Sequence, residues 1–254
     1  MPSSVALRLW SVGYVVLVVV HLGALLADAA VLADVTQCLL MPALAGALWA
    51  ATRWPRGHLV TWAFGGLVAS FLGDFTPRLL DGDAAFLAMV GCFLLAQVSY
   101  VVAFAPRVRR SVVRTAPAWL VVYAGVLVGL VALCGPHAGT LLVPVAVYGG
   151  VLTAMAVLAT GLGPLGAAGG AVFLVSDALI ALGRFVPGWD LPGQDVWVML
   201  TYTVGQALLV ASVASDNRAR RATRPAASAA QTQTQAPKRD NVVAFVTARR
   251  GLEV

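Results

Sequence analysis

Charge is scarce in this sequence. Aspartate, glutamate, lysine and arginine make up 11% of its 254 residues, against 60% that are hydrophobic. A soluble domain carries charge on roughly a quarter of its residues, so an ordinary water-soluble fold is excluded and the apolar surface must face lipid. The few charges sit in short clusters between long apolar runs, which leaves no room for a separate soluble catalytic domain. Cysteine is also rare: Cys38, Cys92 and Cys134 are odd in number and embedded in apolar runs, which reads as small buried side chains rather than a disulfide or metal framework.

Other chemistries fail for want of partners. His21, His58 and His137 are scattered without zinc-ligand spacing, and His21 reads as a satisfied core histidine. Ser176 has no histidine arranged to activate it, so a serine-hydrolase triad is not expected. Gly161, Gly163, Gly166, Gly169 and Gly170 lack the trailing lysine and the strand context of a phosphate loop, and close helix packing explains them better. The net charge of +6 lies in loops and the C-terminal segment, which suits anionic lipid headgroups rather than nucleic acid.

What is present is a series of apolar runs at 9–27, 35–51, 59–76, 84–105, 115–134, 139–160, 163–183 and 195–215. Each is close to the ~20 residues a helix needs to cross ~30 Å of hydrocarbon. The expected fold is therefore all-α, a polytopic bundle of eight transmembrane helices over residues 1–215. The first run follows Arg8 and has no small-residue cleavage site after it, so a retained helix is expected.

Arginines recur after every second run: Arg53 and Arg56, then Arg107, Arg109, Arg110 and Arg114, then Arg218, Arg220, Arg221 and Arg224. The opposite connections hold Asp28, Asp34, Asp81, Asp83, Asp190 and Asp195. The positive-inside rule then puts both termini in the cytoplasm of a bacterial-type plasma membrane. Residues 216–254 turn to Ala, Thr, Gln, Ser and Arg and read as a disordered basic cytoplasmic tail, with Val242 to Val246 a short segment that touches lipid or a partner.

An internal duplication is expected, with repeats at 9–114 and 115–215. Trp10 and Tyr14 overlay on Trp119 and Tyr123, Leu39-Leu40-Met41-Pro42 on Leu141-Leu142-Val143-Pro144, Asp74 on Asp177, and Gln97 on Gln206. Pro42 precedes Asp74 by 32 positions and Pro144 precedes Asp177 by 33. An even number of spans per half makes the repeats parallel, about an axis along the membrane normal.

Asp74 and Asp177 then lie at the same depth, about 20 Å from the inner surface at 1.5 Å per residue. An ionisable residue within a span costs at least ~2.5 kcal/mol and ordinarily faces the bundle interior to serve a site or pathway. Two carboxyl groups sharing a water-poor site do not both ionise, so one can hold a proton while the other stays charged. The competing reading pairs Asp74 with Arg78 and Asp177 with Arg184 as structural ion pairs. Tyr148, Tyr202 and Gln206 add polar groups on spans six and eight, as site residues or, for the tyrosines, interfacial anchors.

The sequence resembles the YhhN family of integral membrane lysoplasmalogenases over about residues 10–215. The likeness is densest from Gly169 to Ala181, which includes Ser176-Asp177, and continues in Phe185, Tyr202 and Gln206. Weaker matches are Leu40-Met41-Pro42, Gly73-Asp74, Tyr100, and Tyr148 with Met155. Family members often carry Lys-Pro where this chain has Gln37-Cys38, and a histidine where it has Gln97.

The resemblance implies hydrolysis of the vinyl ether bond of a lysoplasmalogen, giving a fatty aldehyde and a glycerophospho-ethanolamine or -choline. That chemistry suits two carboxyl groups, one delivering a proton to the alkene carbon and one activating water, with no metal or organic cofactor required. Asp74 and Asp177 are the expected catalytic pair. Tyr148, Ser176, Tyr202 and Gln206 are expected to hold the lysolipid, with Arg184 or Arg78 near its phosphate. A proton-coupled transporter and a non-catalytic lipid-binding relative are the alternatives.

Overall fold

The computed structural model describes residues 4–235, with side chains described through residue 223. Among these there is no strand. Eight long helices follow in order: α1 (Ser4–Leu26), α2 (Ala30–Ala51), α3 (Gly57–Phe75), α4 (Gly82–Phe104), α5 (Trp119–Ala138), α6 (Leu142–Ala159), α7 (Pro164–Phe185) and α8 (Gln194–Gln235). The expected all-α membrane bundle is thus what the chain forms.

The count of spans needs correction. Seven segments, not eight, are long and apolar enough to cross a bilayer. The difference lies in Trp119–Leu162, a 44-residue run in which α5 and α6 are joined only by the 3-10 turn Gly139–Leu141. No charged or strongly polar loop interrupts it, so nothing in its composition divides one span from the next. The run nonetheless folds back on itself. Gly139 takes φ 52°, a conformation glycine adopts without penalty, and Leu127 of α5 lies 3.0 Å from where a Cβ on Gly149 of α6 would stand. A straight helix would hold those two residues about 33 Å apart.

Apolar side chains fill the core and also cover the outside. Valines line the outside, among them Val31 at 78% exposure and Val121 at 75%, while His21, Ser70, Gln97, Ser176 and Gln206 are buried. Lipid tails are as apolar as valine, so they give no reason to hide it, whereas a polar group facing them would go without a hydrogen bond. The helices approach closely through small residues. A Cβ on Gly170 of α7 would sit 2.9 Å from the Ala156 Cα of α6, and one on Gly205 of α8 would sit 2.9 Å from the Phe173 backbone nitrogen of α7.

One of the basic-cluster arginines is turned inward. Arg107, just past α4, donates to Asp216 Oδ2 from Nη2 at 2.5 Å and from Nε at 3.1 Å, and both side chains are buried. Arg110 reaches Asp216 Oδ1 at 3.3 Å. Arg107 therefore helps to fasten α8 rather than to meet lipid headgroups.

The chain divides into Met1–Asn217 and Arg218–Val254. The helix α8 is described as far as Gln235, within the stretch expected as a tail. The remainder, 236–254, including the Val242 to Val246 segment, lies outside the described residues.

Replacing Gly170 by leucine should overpack the α6–α7 contact and destabilise the protein by about 1–3 kcal/mol. Arg107→Leu should cost about 3 kcal/mol, because it removes the buried guanidinium that neutralises a buried carboxylate. Thermal unfolding in detergent measures both, and unchanged transitions would contradict the packing described.

Candidate functional site

Asp74 stands at the end of α3, where helix packing has already excluded lipid. Its neighbour Gly73 has no side chain, and a Cβ there would meet the Phe93 ring of α4 at 2.7 Å. The two helices can therefore close over the carboxyl group, which is 3% exposed. Three elements then supply its partners. Gln37 of α2 donates from Nε2 to Asp74 Oδ1 at 3.1 Å, and the Tyr202 hydroxyl of α8 donates to Oδ2 at 2.9 Å. Arg78, in the 3-10 turn after α3, bonds the Asp74 backbone carbonyl rather than the carboxylate.

Arg78 also orients Gln37. Its Nη2 donates to Gln37 Oε1 at 2.9 Å, and its Nε donates to Asp34 Oδ1 at 3.0 Å. Its ion pair is thus with Asp34, and that of Arg184 is with Asp83. The reading in which each arginine serves as the structural ion partner of a membrane aspartate does not describe this arrangement.

Asp177 lies midway along α7, preceded by Ser176. The Tyr148 hydroxyl of α6 donates to Asp177 Oδ2 at 2.5 Å. Both aspartates border one cavity of about 430 Å³, with Gln37, Arg78, Ser176 and Tyr202 also in its wall and Asp34 and Asp195 contributing further charge. Asp177 additionally borders a narrow crevice of about 50 Å³ whose other walls include Phe86, Phe93, Val145, Ile180 and Phe185. It therefore stands where the chamber that holds the charged groups meets an apolar slot.

The other expected site residues divide. Tyr148 and Tyr202 each hold an aspartate. Ser176 is in the cavity wall, but its hydroxyl donates across to the Val198 carbonyl of α8 at 3.0 Å, not to its own helix. Gln206 is fully buried and clamped elsewhere: it accepts from the Tyr100 hydroxyl at 2.7 Å and donates to Ser70 Oγ at 2.9 Å. It braces α8 against α3 and α4, outside the cavity wall. Arg184 pairs with Asp83 at the end of α7, with its guanidinium 5.2 Å from the Phe86 ring centre, and it too is absent from the cavity wall.

Gln37 is the residue that sequence reasoning noticed only as a departure from a family pattern. The available signal was its spacing: Asp34 and Gln37, three apart in an apolar run, share one face of α2. His21 is partly satisfied, with Nδ1 bonding Thr36 Oγ1 at 2.9 Å and the Ala33 carbonyl at 3.1 Å, while Nε2 has no partner. Among the described residues, no three His, Cys, Asp or Glu side chains come together as a metal-binding group.

A helical membrane bundle with two carboxyl groups bordering one internal cavity is the class of protein this geometry defines. The model of the YhhN family matches residues 32–213, and the chain belongs to that family. It is 32% identical over 172 residues to a protein named lysoplasmalogenase in Mycobacterium bovis and to another of that name in Mycobacterium tuberculosis, covering 64% of this chain and 64% of each relative. The chain thus matches just under two thirds of the length of these curated relatives. It is also 32% identical over 190 residues to human lysoplasmalogenase TMEM86B, covering 71% of this chain and 74% of the human protein. No solved structure matches.

Gln206→Leu should strip partners from two buried hydroxyls, Tyr100 and Ser70, and destabilise the fold by about 1–3 kcal/mol for each group left unsatisfied. Thermal unfolding reads this loss; a variant as stable as the parent would show that Gln206 does not brace the helices.

Proposed function

We propose that this chain is a membrane hydrolase that cleaves the vinyl ether bond of a lysoplasmalogen. The products are a fatty aldehyde and glycerophospho-ethanolamine or -choline. Asp74 and Asp177 share general acid and base catalysis, and Tyr148 and Tyr202 hold them in place. The names carried by the family relatives support the reaction class. The observation that carries it is the shared cavity wall: two carboxyl groups from α3 and α7 border one chamber inside the bundle.

Vinyl ether hydrolysis needs a proton on an alkene carbon and water on the adjacent oxocarbenium carbon, which two carboxyl groups can provide. The cation between those steps is stabilised by a nearby carboxylate where water is sparse. The lysolipid reaches the chamber from the bilayer, with Arg78 as the cation within the wall for its phosphate. In this reading the 44-residue run Trp119–Leu162 crosses twice, so both termini are cytoplasmic and the basic loops meet anionic headgroups. Parallel repeats at 9–114 and 115–215 account for an aspartate arriving from α3 and from α7.

Purified protein in lipid nanodiscs, given a plasmenyl lysolipid, should release aldehyde. Asp74→Asn and Asp177→Asn should each lower the rate by about 10²–10⁴-fold, the usual worth of a positioned acid or base. Ser176→Ala should stay within about ten-fold, since a bonded hydroxyl without a base is no nucleophile. Full activity in both asparagine variants, or flux of the lipid without aldehyde, would overturn the assignment.

A further inference from the structure

We infer that the two aspartates are not interchangeable: Asp177 is the acid that protonates the alkene, and Asp74 is the ionised base that activates water. The inference rests on the hydrolase reading above and assigns its roles. Two independent observations carry it.

The first is the direction of the hydrogen bonds. A guanidinium can only donate, so Arg78 Nη2 on Gln37 Oε1 fixes which end of that amide is which. Gln37 must then present its NH₂ to Asp74 Oδ1, and that oxygen must accept. Tyr202 donates to the other oxygen. A carboxyl group with both oxygens accepting is held as the anion. Among the described residues, the side chain of Asp177 has one hydrogen bond, to Tyr148. A hydroxyl can turn its proton away and accept instead, so this contact tolerates a protonated Asp177 as well as an ionised one. Three other charged groups face the chamber. Arg78 sits one turn from Asp74, while Asp34 is engaged by Arg78 and Asp195 lies in the wall.

The second observation is the gradient of polarity. The slot walled by Phe86, Val145 and Phe185, which the chamber does not share, opens on Asp177, and Arg78 and Gln37 stand with Asp74. A lysolipid whose hydrocarbon tail enters the slot and whose phosphate meets Arg78 lies with its vinyl ether between the two. In a vinyl ether the carbon that takes the proton is the one on the chain side, and the carbon that takes water is bonded to the ether oxygen. The acid is needed on the tail side and the base on the headgroup side, which is how the residues are placed.

The step balances without a further reagent. The Asp177 proton goes to the chain-side carbon, whose π pair forms the new C–H bond while the ether oxygen shares a lone pair with its neighbour. Water adds to that neighbour and gives its proton to Asp74. The hemiacetal then breaks its bond to the glycerol oxygen, which takes the proton from Asp74, as the hydroxyl proton returns to Asp177 and the carbonyl forms.

The test reads protonation apart from turnover. Infrared spectra of the full chain in nanodiscs near neutral pH should show the carbonyl band of a protonated carboxyl group that shifts in D₂O. The band should persist in Asp74→Asn and vanish in Asp177→Asn. Added formate, a small base, should raise aldehyde release by Asp74→Ala at least about ten-fold and leave Asp177→Ala unchanged. A band lost in Asp74→Asn and kept in Asp177→Asn, or formate rescue of Asp177→Ala alone, overturns the assignment. Wild-type protein that releases no aldehyde overturns the hydrolase reading and the roles with it, while the infrared band still reports which aspartate holds the proton.

Discussion

A polar side chain inside a lipid-embedded bundle must find its partner on another helix, because neither lipid nor bulk water supplies one. Asp74 is the clearest instance. Its carboxylate is held by Gln37 of α2 and Tyr202 of α8, with Arg78 joining the amide and the end of α3. Each of these bonds crosses between elements, so the positions of α2, α3 and α8 relative to one another are tied to one buried carboxyl group. The same rule explains Gln206, which joins α8 to Tyr100 of α4 and Ser70 of α3. Specificity of packing comes from these bonds and from glycines that let helices touch, since burying valine gains little in hydrocarbon.

This arrangement also separates a chamber from a slot. Where α3, α7 and α8 meet, the wall carries charged and hydroxyl groups among apolar ones; where α4, α6 and α7 meet, it is aromatic and aliphatic. Asp177 belongs to both. An amphipathic ligand, with one charged end and one hydrocarbon end, is the kind of molecule such a junction accommodates. The two carboxyl groups share a wall but differ in their surroundings, and environment is what lets two residues of one type take two roles.

The family resemblance and the membrane class were legible in the sequence, and the two aspartates it singled out, Asp74 and Asp177, border one cavity. Ser176 and Gln206 lay in matching motifs, and Arg184 offered a cation for a phosphate, so all three were expected around the ligand. Arg184 is engaged with Asp83 and Gln206 with Tyr100 and Ser70, both away from the cavity wall, while Ser176 is in that wall with its hydroxyl on the Val198 carbonyl. A motif marks a residue as needed without saying whether it serves the ligand or the fold. Gln37 was hidden for the opposite reason, since it occupies a position where this chain departs from the family pattern.

Periodic hydrophobicity and the rarity of charge were enough to determine that this chain forms apolar helices of membrane-spanning length, because a helix satisfies its own backbone and needs no distant partner to exist. They also singled out two carboxyl groups within those helices, because the cost of placing a charge there is local. Which side chains those carboxyl groups meet, and where α5 doubles back at Gly139 to become α6, were decided only in three dimensions. Side chains as far apart along the chain as Asp74 and Tyr202 become neighbours through helix packing, and packing is a property of all the helices at once.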